Sequence, residues 1–132
     1  MRSRAIEAYK TTLRLSDVQR EMLVGILLGD ACLESQNAGR THRLKIEQGA
    51  AHADYVRHLY EVFREWVLSP PRPKQGRTSG VTTINIAFQT VSHKDLSHFG
   101  ELFYRNQRKI VPDNVGDPLT ARGLAYWFMD DG

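Results

Sequence analysis

Hydrophobic and polar residues follow different periods along this chain, and each period predicts an element. Ser16 followed by Gln19 is a capping-box pattern, so a first helix is expected from about Asp17 to about Leu28. Its second part, MLVGILLG, is apolar on every face, so it must be covered on both sides. ACLES and HRLKIEQ read as two short strands around the turn QNAGRT, where Asn37 and Gly39 signal a hairpin. In the second of these strands Leu44 and Ile46 face one way, and Arg43, Lys45 and Glu47 the other. AAHADYVRHLYEVFREWVL is an amphipathic helix, with Tyr55, Leu59, Phe63 and Val67 on one stripe and Val62 and Trp66 beside them.

The prolines of SPPRPK stop that helix. A second hairpin follows, with Gly76 and Gly80 in or near its turn. On its return strand, TTINIAFQT, Ile84, Ile86 and Phe88 share one face and Asn85, Ala87 and Gln89 the other. Ser92 with Asp95 is expected to cap a third helix whose apolar face is Leu96, Phe99 and Phe103. KIVPDNVGDP reads as a connector. Thr120 then caps a last helix, with Leu119 and Leu124 placed as a hydrophobic staple. The order is α-β-β-α-β-β-α plus one more helix. Two hairpins, each following a helix, predict an α+β layer: an antiparallel sheet with helices on one face.

The sheet's other face would carry Arg43, Lys45, Asn85 and Gln89, the guanidinium, ammonium and amide groups that contact phosphates and base edges in a DNA groove. Charge distribution agrees. The net charge is only +3, but residues 40–46 hold Arg40, Arg43 and Lys45 with no acid. Residues 69–94 are acid-free and hold Arg72, Lys74, Arg77 and Lys94, while residues 102–112 hold Arg105, Arg108 and Lys109. Cations clustered in strands and loops, with acids kept on helices, are the footprint of a polyanion binder. No apolar run approaches the roughly 18 residues of a membrane span. The start has basic residues but no apolar core, so no secretory signal is read and an intracellular setting, organelle or bacterial cytoplasm, is expected. The single cysteine, Cys32, excludes an internal disulfide framework and a Cys-rich zinc site.

Candidate chemistry lies at the ends of the two apolar helices. MLVGILLGD ends at Asp30, and LAYWFMDDG carries Asp130 and Asp131. A carboxylate at a helix C-terminus meets the negative end of the dipole and costs about 0.3–1 kcal/mol, so a positive charge should compensate it. Gly25 and Gly29 leave one flank of the first helix bare, and Ala125 is the small residue expected to face it from the second. Packed side by side and parallel, the helices would bring Asp30 and Asp131 together. A hard divalent cation suits such a pair: Mg²⁺ takes one or two carboxylates with waters and phosphate oxygens. It can make a bound water nucleophilic against a phosphodiester. A small-molecule hydrolase is disfavoured, because the five histidines show no ligand spacing and no Ser or Cys nucleophile motif occurs.

LVGILLGDA (residues 23–31) and LAYWFMDDG (residues 124–132) resemble the paired motifs of the LAGLIDADG homing endonucleases. WVLSPP, AFQT and IVPDN are similar to the monomeric, intron-encoded branch with two motifs per chain, and the likeness covers residues 15–132. The chain departs from the motif at Ala31, where Gly is usual, and at Tyr126, where a small residue is usual. The resemblance implies a four-stranded, saddle-like antiparallel sheet laid in a DNA major groove, with the motif helices packed at its centre. It implies Mg²⁺, or another divalent cation such as Mn²⁺, held by Asp30 and by Asp131 rather than Asp130. It implies cutting of both strands to staggered ends and a basic residue near the scissile phosphate, whose matching place is Lys109.

On this reading residues 1–15 are a basic arm, 16–115 the first endonuclease unit, and 116–132 the second-motif helix that begins a missing second half. Full cleavage would then need a second half-chain or another copy. An intron RNA maturase and a non-cleaving DNA-binding module are the alternatives on the same scaffold.

Overall fold

The computed structural model describes residues 4–78, 80–116 and 118–131, the side chains of Arg77, Thr78 and Asp131 excepted. Helix α1 (Arg4–Lys10) occupies part of the expected arm. Helix α2 (Asp17–Leu28) begins as predicted: the Ser16 hydroxyl accepts from the Gln19 N–H at 3.1 Å, and the Gln19 side chain accepts from the Ser16 N–H at 2.9 Å. Strands β1 (Cys32–Glu34) and β2 (Arg43–Gly49) form the first hairpin. Helix α3 (Ala53–Val62) follows, then strands β3 (Arg72–Thr78) and β4 (Val81–Gln89), helix α4 (Lys94–Phe103), the short strands β5 (Tyr104–Arg105) and β6 (Arg108–Lys109), and helix α5 (Ala121–Asp131).

The four long strands make one antiparallel sheet in the order β1-β2-β4-β3. Leu44 and Ile46 of β2 and Phe88 of β4 point to the helical side, where Leu23, Ile26 and Leu27 of α2, Val56 and Leu59 of α3, and Leu96, Phe99 and Phe103 of α4 close the core. Each such side chain, fully buried, contributes about 1.5–3 kcal/mol, so this one layer of contacts sets the architecture. The predicted α+β arrangement, with helices on one sheet face, is the observed one.

Three local expectations are corrected. Helix α3 ends at Val62, before the prolines, and a tight turn at Arg64–Trp66 tucks the Trp66 ring against His93, with ring centres 4.8 Å apart. Helix α4 is capped by His93, not Ser92: its Nδ1 accepts from the Asp95 N–H at 2.9 Å, and its Nε2–H donates to the Lys10 carbonyl at 3.0 Å. That second bond, with the Tyr9 hydroxyl donating to the Glu65 carbonyl, ties α1 down. The expected connector after α4 begins as a hairpin, β5–β6, whose two turn residues, Asn106 and Gln107, both have positive φ (51° and 66°). Thr120 caps α5 as predicted, accepting from the Gly123 N–H at 3.2 Å. Among the described residues no helix is long and apolar enough to cross a membrane.

Candidate nucleic-acid interface and active site

Pleating sends alternate residues to the face that carries no helices. Register puts Arg43, Lys45 and Glu47 of β2 on this face, beside Cys32 and Glu34 of β1, Asn85 and Gln89 of β4, and Arg72 and Lys74 of β3. Four of the predicted cations and both predicted amides therefore share one surface. Arg43, Lys45, Arg72, Lys74 and Gln89 line a shallow groove of about 700 Å³ there. Arg40 lies apart, exposed in the β1–β2 turn, with its Nε–H donating to the Asn37 carbonyl at 3.2 Å. Arg77 pairs in register with Thr82, and its side chain is outside the described residues.

The acids are not confined to helices, as charge patterning had suggested. Glu34 accepts from Arg43 and lies 3.5 Å from Lys45. Glu47 accepts from Lys74 at 3.1 Å and from the Asn85 amide at 2.7 Å. The Arg43 guanidinium holds the Glu34 carboxyl below the usual carboxylate range, and the Asn85 amide, helped by Lys74, does the same for Glu47. The face is thus a lattice of paired charges. Such exposed pairs are each worth only about 0–1 kcal/mol, so a phosphate can displace a carboxylate at little cost.

Beneath the sheet, α2 and α5 lie in close contact. Gly25 is where the backbones meet: a Cβ built on it would lie 2.0 Å from the Gly123 carbonyl oxygen. Gly29 faces Asp130 across the same seam. Ala125, expected at this contact, is exposed on the far side of α5, and Gly123 takes its place. The helical phase explains the correction, since residues two apart on a helix point about 200° away from each other. Tyr126 turns toward α3, where its ring stacks on His58 and its hydroxyl lies 2.6 Å from His58 Nε2.

Asp30 emerges exposed at the C-terminal end of α2, and the chain runs through buried Ala31 into exposed Cys32, on the polar sheet face. Gln48 Nε2 donates to the Asp30 carboxylate at 3.4 Å. The backbone of Asp131 ends α5, and its side chain is outside the described residues. Lys109 reaches across from β6: its ammonium donates to the Gly29 carbonyl at 2.8 Å and to the Ala31 carbonyl. The compensating positive charge at the end of α2 is therefore supplied, at least in part, by a side chain. Burial of the tip pushes the Lys109 pKa down, while Cys32, Asp130 and Asp30 nearby pull it up. The hairpin that carries Lys109 is anchored by the Tyr104 hydroxyl, which accepts from the Leu33 N–H at 2.9 Å.

Sequence reasoning passed over Asp130. Its carboxylate is buried, accepting from the Asp30 N–H with one oxygen and from the Tyr55 hydroxyl with the other at 2.6 Å. Burial raises the Asp130 pKa, against the opposing pull of those two donors, and burial likewise raises that of Tyr55. Nothing in the spacing of Tyr55, which reads as one more apolar position on an amphipathic helix, announces its hydroxyl bond. Among the described residues no three His, Cys, Asp or Glu side chains gather to hold a metal. A Mg²⁺ ion asks for less, one or two carboxylates with water and phosphate oxygens, and the exposed carboxylate of Asp30 fits that oxygen-only donor set.

The model of the LAGLIDADG DNA endonuclease family matches residues 20–132. The chain is 37% identical over 133 residues to a probable intron-encoded endonuclease 1 of Wickerhamomyces canadensis, an alignment covering 98% of this chain and 57% of that protein. It is 31% identical over 116 residues to the cytochrome b mRNA maturase bI2 of Debaryomyces hansenii, covering 85% of this chain and 44% of that one. Its fold is similar to that of the homing endonuclease I-WcaI bound to its DNA recognition sequence, with a TM-score of 0.87 and 36% identity over 98% of this chain and 57% of that chain. The chain thus spans about half the length of these relatives.

Proposed function

The chain belongs to the LAGLIDADG DNA endonuclease family, and from that membership we propose that it serves site-specific, metal-dependent cleavage of double-stranded DNA, acting with a second α/β unit that covers the outer face of α5. The observation that carries this reading is the placement of Asp30. An exposed carboxylate stands at the end of a closely packed helix pair, where the chain enters a sheet face bearing Arg43, Lys45, Arg72 and Lys74.

On this reading the four cations neutralise phosphates as their carboxylate partners are displaced, and Asn85 and Gln89 read base edges. Arg40 extends the same contact at the end of the first hairpin. Asp30 and Asp131 hold the Mg²⁺ ion, or Mn²⁺ in its place. When bound, such an ion supplies a water of lowered pKa and offsets charge on the phosphodiester. An ammonium has three N–H donors, and Lys109 gives two to main-chain carbonyls. Among the described residues the third has no acceptor, and it would meet charge developing on the phosphate. Residues 116–132 begin the second unit, supplied by the same chain, another chain or another copy. The setting is inside a cell, in an organelle or a bacterial cytoplasm, and the substrate is double-stranded DNA with a long recognition site.

Incubating supercoiled plasmid carrying candidate intron-insertion sites with the protein, a second α/β unit and Mg²⁺ tests the reading. Nicking or linearisation is expected, with a loss of about 100-fold or more in Asp30→Asn. Cleavage that survives this substitution overturns the assignment. A second reading, assistance to intron RNA splicing, has the similarity to the cytochrome b maturase in its favour. Rescue of splicing by a protein that cuts no DNA would select it.

A further inference from the structure

Asp130 is 7% exposed, and its two oxygens have separate tasks. Oδ2 accepts the Asp30 N–H from across the helix seam, and Oδ1 accepts the Tyr55 hydroxyl of α3. The first bond stands in for an absent one. The amides on either side of Asp30, those of Gly29 and Ala31, both donate to the Ile26 carbonyl. The Asp30 amide is the one that leaves the helix, and a carboxylate from the neighbouring helix collects it. The seam is shaped for this. A Cβ on Gly29 would lie 2.2 Å from Asp130 Oδ2, so the carboxylate fills the space that a side chain on Gly29 would need. Gly29 and Asp130 hold the same place in the two apolar motifs, each immediately before the terminal acid. One helix offers no side chain there and the other offers a hydrogen-bond acceptor.

We propose that Asp130 is a positioning residue for Asp30: by gripping the Asp30 amide it fixes the backbone from which that carboxylate projects, while Tyr55 locks the Asp130 rotamer. The assignment rests on the reading of Asp30 as the metal-holding acid. Asp130 itself is buried, with its two oxygens engaged by the Asp30 N–H and the Tyr55 hydroxyl. The two terminal acids are consequently braced unequally. Asp30 is held through a side chain of α5, whereas the corresponding place on α2 is a glycine and has no side chain to give to Asp131.

The test uses Asp130→Leu, which removes both acceptors, Asp130→Asn, which keeps one acceptor oxygen, and Tyr55→Phe. Amide hydrogen exchange at Asp30 and DNA cleavage are measured in the same proteins. In Asp130→Leu the Asp30 amide is expected to exchange about tenfold faster, while amides inside α2 keep their protection. The cleavage rate at saturating DNA should fall about tenfold with Kd changed by no more than about twofold. Asp130→Asn should restore most of both, and Tyr55→Phe should show the same exchange pattern more weakly, about threefold. Unchanged Asp30 exchange in Asp130→Leu overturns the proposal. So does a loss of protection along the whole of α2, which marks a merely structural role. Should the leucine variant fail to fold, the asparagine and phenylalanine variants decide by the same pattern. If the unaltered protein, supplied with a second α/β unit, cuts no plasmid, the endonuclease reading fails, and the exchange data still say whether Asp130 grips Asp30.

Discussion

Helices α2 and α5 have similar apolar sequences and unequal surroundings. In α2 every side chain from Met22 to Leu27 is buried, because the sheet covers one side and α5 the other. In α5 the face away from α2 is open: Leu124 is 40% exposed, Met129 45% and Phe128 70%. The difference teaches that an apolar run states how much cover a helix wants, not how much it has. The outward face of α5 is the surface onto which the proposed second α/β unit would pack, as the sheet of this unit packs on α2.

Three substitutions would break or sharpen that contrast. Leu27→Ala, in the fully covered helix, should cost about 2–5 kcal/mol in urea unfolding, through lost burial and the cavity left behind. A cost below about 1 kcal/mol would mean that α2 is not the centre of the core. Gly25→Ala sets two effects against each other. Alanine improves helix propensity by about 1 kcal/mol, but its methyl would be driven into the Gly123 backbone, an overpacking that costs about 1–3 kcal/mol. The backbone contact should win, and the melting temperature should drop. A stabilised variant would show that the helices do not approach as closely as described. Phe128→Ser should change the stability of this chain by no more than about 0.5 kcal/mol. Repeated in an assembly where a second unit covers α5, the same substitution should cost several times more, and equal values in both settings would remove α5 as the docking face.

Much of the fold was legible because local signals and the global layout agree. The capping box at Ser16 and Gln19, the alternation in β2 and β4 and the cap at Thr120 all name elements that exist as expected. The polar sheet face was legible for the same reason, since a period of two leaves no choice of side. What was not legible depended on partners distant in sequence. Glu34 and Glu47 sit among the cations because strands far apart in the chain are neighbours in the sheet. Ala125 was the wrong small residue because the rotation of a helix apolar all round has no signal in its pattern, and only packing fixes it. Gly123 and Asp130, two turns apart, turn out to mark the seam. Of the adjacent acids, the buried one could not be told from the other without knowing where Tyr55 and the Asp30 amide lie.

The turn at Asn106 and Gln107 governs more than its size suggests. Both residues sit at positive φ, as a two-residue turn between right-handed twisted strands requires. Asparagine accepts that backbone readily, whereas glutamine carries a strain of about 1–2 kcal/mol. The same turn fixes Lys109 opposite Tyr104. One residue more or less in the loop would rotate Lys109 to the reverse side of the ribbon and strip the ammonium from the carbonyls around Asp30. Glycine at residue 107 would relax the bend with the pairing intact, so this remote corner is a handle for tuning the rigidity of the acid's surroundings without altering any group on the polar sheet face.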